Sequence, residues 1–270
     1  MEILGYLASL LIGLSLGLIG GGGSILTLPV LVYLFGVSPT LATAYSLFIV
    51  GTASLVGAWP KHQEGLINYR TVLVFGIPSI AAVFITRKIV LPAIPTDLFS
   101  IGGLAVTKDL MLMVLFAILM VAASISMLQK EKPKKESAPE LQRFNYPLIL
   151  AEGAVVGVLT GLVGAGGGFL IIPALVVLSK LPMKQAVGTS LLIIAAKSLI
   201  GFTGDLMTGK AMDWTLLLTV TAIAVVGIFL GNALSRKIDG AALKKGFGWF
   251  VLVMGTYILL KELGFIPGAA

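Results

Sequence analysis

Cysteine is absent from this 270-residue sequence, and His62 is its single histidine. The lack of cysteine excludes disulfides, thiolate nucleophiles and cysteine-ligated zinc or iron–sulfur sites, and one histidine cannot form a multi-histidine metal site. We therefore expect no metal and no cofactor. Charged residues are also scarce, at 11% of the chain against about 25% in soluble domains. This scarcity excludes a soluble enzyme, a disordered chain and, despite a net charge of +7, a nucleic-acid-binding protein.

Apolar runs make up most of the chain instead. Hydrophobic residues account for 57% of the sequence, and the mean hydropathy is +1.05. A helix of roughly 20 apolar residues spans a bilayer, whereas the strands of a membrane β-barrel would alternate in polarity. We therefore predict a polytopic, all-α membrane protein whose first run is a mature helix and not a removed signal. The ten apolar runs, two of them too short to span alone, are 3–19, 24–35, 39–58, 69–88, 109–128, 147–163, 168–179, 184–203, 212–235 and 246–264.

The sequence is duplicated. With a shift of 144 positions, residues 13–57 match residues 157–201 at 18 of 45 positions. An apolar composition explains matched leucines and valines, but it does not explain a series of aligned glycines and a proline. We predict a first transmembrane repeat at 1–128, a basic cytoplasmic linker at 129–146 and a second repeat at 147–270. The aligned pairs include Gly13/Gly157, Gly17/Gly161, Gly20/Gly164, Gly22/Gly166, Gly23/Gly167 and Pro29/Pro173.

The relative orientation of the repeats depends on the short runs 24–35 and 168–179. If each run forms a re-entrant pair with the helix before it, or crosses fully, the repeats are inverted. Lys197 lies within the membrane, and the other Lys and Arg residues then number 13 inside and 5 outside, with Arg87 and Lys88 outside. If each pair is one broken crossing, the repeats are parallel and the count is 9 on each side. Because positive residues favour the cytoplasmic side, we predict two inverted repeats, each with a Gly-interrupted broken or re-entrant helix pair plus three further transmembrane helices.

Two glycine tracts occupy equivalent positions in the repeats. Glycine breaks helices, and non-helical backbone inside a bilayer survives only where it is buried in protein or lines a cavity. A helix N-terminus there carries free N–H donors and partial positive charge, so we predict an anion-binding site. Close helix packing is the alternative, and a Walker loop is excluded because no Gly-Lys-Ser/Thr follows. The tracts are Gly20-Gly21-Gly22-Gly23-Ser24 and Gly164-Ala165-Gly166-Gly167-Gly168.

Polar residues within the apolar runs are further candidates for substrate binding. Lys197 lies in the middle of a run, where a charge is costly and indicates a function; a lysine that reaches out to the interface is the alternative. Its equivalent in the first repeat is Ala53, so any such role is asymmetric. Ser46, Thr189 and Ser190 lie in matching helices, where their hydroxyls either donate to an oxyanion or bond their own backbone.

Two titratable residues are candidates for gating or proton coupling. Glu152 lies early in the run that begins at Pro147, where it either relays a proton or pairs with a base near the interface. His62 lies in a short connection, and its side chain either titrates near neutral pH and gates or is simply solvated.

Two more segments share a pattern with a known family. They are His62-x-x-Gly65-x-x-Asn68-Tyr69-Arg70 after the third run and Gly209-x-x-x-Asp213-Trp214 in the second half. Together with the paired tracts, each opening an apolar run that holds a proline, they resemble the TauE/SafE family of membrane permeases over nearly the whole chain. The likeness departs at 90–108, a Pro-rich stretch without a counterpart in the second half.

This resemblance implies a sulfite or organosulfonate transporter, typically an exporter, in the inner membrane of a bacterium. With the residues above, it predicts a secondary transporter that moves a small sulfur-containing anion, such as sulfite or a C2 sulfonate, by alternating access around a midplane site. Its partners would be the anion and the lipid bilayer, not nucleic acid, and a homodimer is one option for its assembly. The alternatives are an anion channel of the same fold and a permease for another small carboxylate or oxyanion. An intramembrane enzyme is disfavoured because neither a nucleophile–base pair nor paired carboxylates occur in the runs.

Overall fold

The computed structural model describes residues 2–101, 104–129, 146–177, 181–209, 211–235 and 240–265. A helical segment lies at each of the ten apolar runs, which confirms the helical prediction for every run. The predicted linker at 129–146 lies, apart from its two end residues, outside the described residues. The segments are α1 (Glu2–Ile19), α2 (21–34), α3 (Pro39–Gln63), α4 (Tyr69–Ala93), α5 (Lys108–Leu128), α6 (Tyr146–Val163), α7 (Gly168–Val177), α8 (Met183–Leu206), α9 (Trp214–Ser235) and α10 (Gly240–Glu262).

The segment α2 is an irregular helix that doubles back along α1. A 3-10 stretch, Gly21–Leu26, passes into a single α turn and then into a π turn, Val30–Leu34. Pro29 lies just before the π turn and has no N–H to donate, which weakens the regular α pattern. The rings of Tyr6 and Phe35 lie 5.3 Å apart, so α2 returns the chain to the end at which α1 begins.

A short β-hairpin interrupts the helical chain, and the all-α prediction is wrong at this point. Strand β1 (Asp97–Ile101) pairs antiparallel with β2 (Leu104–Thr107). Helix α4 stops at Ala93 because Ile94 precedes Pro95 and is extended, as residues before proline tend to be. The hairpin therefore fills the Pro-rich stretch that the second half lacks.

Among the described residues, five helices, α3, α4, α5, α8 and α9, are long and apolar enough to cross a membrane. Shorter apolar helices lie in α1, α2 and α6. Large apolar side chains on the outer faces are exposed, with Ile77 at 62% and Phe229 at 55%. Such faces suit a hydrocarbon surrounding and would be a liability in water. The prediction of a multi-pass membrane protein is confirmed.

Helices of one half of the chain pack against helices of the other half. Helix α1 packs against α9 and α6 packs against α4, while α3 packs against α8 and α5 against α10. Glycines line these contacts: a Cβ on Gly13 would lie 1.8 Å from the Ala224 carbonyl oxygen, and one on Gly157 would lie 2.6 Å from the Ser79 carbonyl oxygen. Small residues of this kind allow membrane helices to approach closely. The helices of the two halves are therefore interlocked: the main helix pairs join one helix from each half, and the halves do not form two separate bundles.

The same contacts give the relative directions of the packed helices. Leu47, near the start of α3, lies beside Gly201, while Lys61, at the end of α3, lies beside Gly188. Helices α3 and α8 therefore run antiparallel. Helices α5 and α10 also run antiparallel, with contacts between Met120 and Gly255 and between Leu128 and Gly248. In contrast, α1 and α9 run parallel, with contacts between Gly13 and Ala224 and between Gly17 and Gly231.

Candidate functional site

The two predicted glycine tracts meet in the interior of the protein. A Cβ on Gly21 would lie 2.2 Å from the Gly168 Cα, and one on Gly168 would lie 2.0 Å from the Gly21 Cα. Gly20 and Gly164, which are equivalent in the two repeats, both have a left-handed φ, at 73° and 71°. Other residue types are strained in this region, which explains glycine at both breaks. The structure thus brings the two tracts into backbone contact.

Lys197 lies at the second tract. Its side chain is fully buried, and its Nζ donates to the Thr160 Oγ1 over 3.1 Å. A Cβ on Gly167 would lie only 2.7 Å from this Nζ, so the glycine leaves room for the ammonium group against the backbone. Of the predicted substrate-binding residues, Lys197 and Gly167 are therefore direct neighbours.

Helix α7 begins at Gly168, immediately after this contact. The N–H groups of Leu170 and Ile171 both donate to the Gly167 carbonyl oxygen over 3.0 Å, which forms the first turn. The N-terminus of a helix carries partial positive charge and N–H groups without an intrahelical acceptor. An ammonium, a hydroxyl and a helix N-terminus therefore meet at one place, and all three favour an anionic ligand.

A second buried cation, Arg87, lies near the same tract and was not among the predicted site residues. Its Nε donates to the Asp205 Oδ2 over 2.6 Å, in an ion pair that is fully buried. Its Nη1 donates to the Thr43 Oγ1 over 2.9 Å and to the Gly161 carbonyl oxygen over 3.1 Å. The Gly161 carbonyl is one of the last in α6, where cations are favourable. The available signal was the charge itself, at the edge of an apolar run that continues as helix to Ala93.

The predicted hydroxyls are placed differently from one another. Ser24 donates to the Gly21 carbonyl oxygen over 2.8 Å, and Ser190 donates to the Val187 carbonyl oxygen over 2.8 Å. Thr189 accepts from the backbone N–H of Asn68 over 2.9 Å, across the two halves. Ser46 is buried, and its Oγ has no hydrogen-bond partner among the described residues. The hydroxyls of Ser24 and Ser190 therefore spend their donors on their own helices, whereas no described residue accepts from Ser46.

The structure does not bring His62 or Glu152 to the tracts. His62 lies in the last turn of α3, and its Nδ1 is 2.5 Å from the Tyr69 Oη in an exposed contact. Glu152 lies on α6 about two turns before Thr160, half-buried and without a hydrogen bond or ion pair to any described residue. Within the described ranges, no three His, Cys, Asp or Glu side chains come close enough to hold a metal ion.

Comparison with known proteins identifies the family of this chain. The sequence profile described as sulfite exporter TauE/SafE matches residues 5–258. The chain belongs to this family. The predicted resemblance to this family is thereby confirmed, and the TauE/SafE protein is a membrane transporter with several helices of spanning length.

Several relatives are described as transporters without a named substrate. A probable membrane transporter protein of Xylella fastidiosa (strain 9a5c) is 29% identical over 93% of this chain and 92% of its own length. The probable membrane transporter protein YunE of Bacillus subtilis is 28% identical over 91% of this chain and 93% of its own. MJ0441 of Methanocaldococcus jannaschii, also described as a probable membrane transporter protein, is 36% identical over 42% of this chain and 44% of its own. No solved structure matches the chain. Family and helices together make this a multi-pass protein of the plasma membrane.

Proposed function

We propose that this TauE/SafE protein is a secondary transporter that exports a small sulfur-containing anion, such as sulfite or a C2 sulfonate. The observation that carries the proposal is the position of Lys197, with its buried ammonium against Gly167 at the start of α7. The sulfur oxyanion itself comes from the description of the family. The geometry supports a negatively charged ligand and the proposed location beside Lys197.

The electrostatics of Lys197 support an anionic substrate. A lysine at the centre of a bilayer costs roughly 2.5–3.5 kcal/mol on insertion scales. Among the described residues, no carboxylate lies within 4.0 Å of Lys197 to offset this cost, and the lysine has a single hydroxyl partner. Its ammonium group therefore retains two N–H donors for a ligand. A bound oxyanion would supply both the missing charge and the missing acceptors.

The helix directions support inverted repeats, as the positive-inside count predicts. Helices α3 and α8 are equivalent segments of the two repeats, and so are α5 and α10; inversion requires the members of each pair to run in opposite directions. Both pairs are antiparallel. In this arrangement the connection with His62 faces the cytoplasm and the end of α4 with Lys88 faces outward. Alternating access then consists of one repeat rocking about the contact between the tracts, with His62 and Glu152 as candidates for coupling.

Uptake into proteoliposomes tests this proposal. The substrate is a radiolabelled C2 sulfonate, with labelled sulfite in parallel, and the variant is Lys197→Gln. The control is Lys184→Gln, which removes an exposed lysine from the same helix. We expect saturable flux that falls at least about tenfold in Lys197→Gln, the size of one lost charge-assisted contact, and is unchanged in Lys184→Gln.

Three results would count against the proposal. Equal flux in Lys197→Gln and wild type would remove the lysine from the site. Flux that never saturates would favour an anion channel of the same fold. Absence of flux for both sulfur anions, in protein that elutes as a single folded species, would contradict the substrate class.

A further inference from the structure

Three of the four buried charged side chains among the described residues gather at the end of α6. The four are Arg87, Lys108, Lys197 and Asp205. Lys108 donates to the carbonyl oxygens of Leu91 and Ile94, at the end of α4. The other three surround the last turn before the second tract.

Arg87 and Lys197 reach this turn through adjacent residues. Lys197 donates to the side chain of Thr160, and Arg87 donates to the carbonyl oxygen of Gly161. The arginine also contacts Thr43, whose backbone lies against Gly164: a Cβ on Gly164 would be 2.3 Å from the Thr43 carbonyl oxygen. The ion pair of α4 and α8 therefore flanks the same tract as the lysine.

The guanidinium of Arg87 is not fully used by its neighbours. Its Nε and Nη1 are bonded, but its Nη2 is buried and has no hydrogen-bond partner in the described part of the chain. The contacts of Arg87 with Asp205 and with the Gly161 carbonyl use only Nε and Nη1. The remaining donor is suited to a ligand oxygen.

The charges of this group sum to a single positive charge. With Lys197 as an ammonium, the two cations and the carboxylate of Asp205 leave a net charge of +1. A monovalent anion would neutralise the group, whereas a divalent anion would leave an uncompensated negative charge in the interior, which is strongly unfavourable. The duplication adds no second lysine to the group, because the equivalent of Lys197 in the first repeat is Ala53.

We propose that the Arg87–Asp205 pair is a charge filter, which restricts the site at the second glycine tract to monovalent oxyanions. Asp205 cancels the charge of Arg87 while leaving its donors in place, so the arginine contributes hydrogen bonds without attracting a second negative charge. This inference rests on the proposed transport of anions through the Lys197 site. Beyond that function, the inference specifies the charge of the transported anion and names Arg87 and Asp205 as the residues that determine it.

Methanesulfonate and sulfate are matched probes for the filter, since they differ mainly by replacement of a methyl group with a charged oxygen. Uptake of each into proteoliposomes gives a ratio of kcat/KM for the monovalent over the divalent anion. We expect a ratio above one in wild type. In Asp205→Asn the net charge becomes +2, and the ratio should fall at least about tenfold toward sulfate, as expected for one additional charge at close range.

A double variant separates the filter from a structural effect. Breaking a buried ion pair from one side is destabilising, so Asp205→Asn alone could lose flux for both anions. Arg87→Gln with Asp205→Asn removes both charges, returns the net charge to +1 and should restore the preference for methanesulfonate. The control is Glu64→Gln, an equal change of charge in the exposed pair with Lys61, which should leave the ratio at the wild-type value.

The outcomes distinguish this inference from the proposed function. An unchanged ratio in Asp205→Asn, or a double variant that prefers sulfate, would overturn the filter while leaving the transporter intact. Wild-type flux of sulfate equal to that of methanesulfonate would overturn it as well. Flux of neither anion in wild type would overturn the filter together with the anion site on which it rests.

Discussion

Replacing Gly168 with alanine tests whether the two glycine tracts must touch. A Cβ at this position would lie 2.0 Å from the Gly21 Cα and 2.3 Å from its carbonyl oxygen. Ordinary contacts of a Cβ begin at 3.4 Å, so the tracts would have to separate by about 1.4 Å and lose their dispersion contacts. Gly168 does not have a positive φ, so crowding is the whole effect.

The cost of this crowding is at the high end of the usual range. Overpacking a filled interior costs about 1–3 kcal/mol, and we expect about 3 kcal/mol because both obstructing groups are backbone atoms that cannot rotate away. The matched control is Gly76→Ala in α4, where the nearest atom would be 3.9 Å away. Alanine in that helix interior should be neutral or stabilising by about 0.5–1 kcal/mol.

Thermal unfolding in detergent, followed by the loss of the monodisperse peak in size-exclusion chromatography, gives the comparison. Thiol-reactive dyes cannot report it, because the chain has no cysteine. We expect a lower midpoint for Gly168→Ala than for wild type and Gly76→Ala. Equal midpoints for the two variants would refute the argument, since they would show that the tracts do not pack as tightly as the structure indicates.

Three further substitutions probe single contacts by the same thermal assay. Arg87→Gln should destabilise by about 3–5 kcal/mol because it leaves the buried carboxylate of Asp205 without its cation; a stability equal to wild type would contradict the buried pair. Asn68→Ala should cost about 1 kcal/mol because it removes the side chain that caps α4, and Asn68→Asp should retain the cap. Tyr33→Phe should cost about 1 kcal/mol because it removes the 2.8 Å hydrogen bond to Glu262, with Glu262→Gln as the conservative comparison.

The helices, and Lys197 and Gly167 as candidate residues, could be predicted from the sequence because their signals are local. An apolar run of about 20 residues matches the thickness of a bilayer, and the aligned glycines mark both tracts without reference to any contact. Lys197 stands out because a charge in the middle of such a run is costly. Gly167 is a candidate for an independent reason, its place in a glycine tract, and the structure brings the two residues together.

The ion pair of Arg87 and Asp205 could not be predicted in the same way. Each charge lies at the edge of an apolar run, where charged residues usually face the interface. The helices extend beyond those runs, to Ala93 and Leu206, and neighbouring helices cover their ends. Burial there depends on the packing of α4 against α8, which relates residues 118 positions apart.

The hairpin was missed for a different reason. The prolines of the stretch 90–108 mark it as an insertion, and its apolar segments are short. In the sequence, Gly102-Gly103 separates the two strands, and a glycine pair between short apolar segments is a hairpin signal. This hairpin signal is weak compared with the ten apolar runs that predict helices, so the sequence as a whole still predicts an all-α protein.

The interlocked helices have a consequence for biosynthesis. The glycine face of α1 fits α9, a helix that leaves the ribosome about 200 residues later. The first half therefore enters the membrane before the helices that cover the packing faces of α1 and α4, namely α9 and α6, have been made. A chain that terminates before α9 leaves the glycine face of α1 without its packing partner. Two separately expressed halves carry complementary surfaces and should reassemble into the complete transporter.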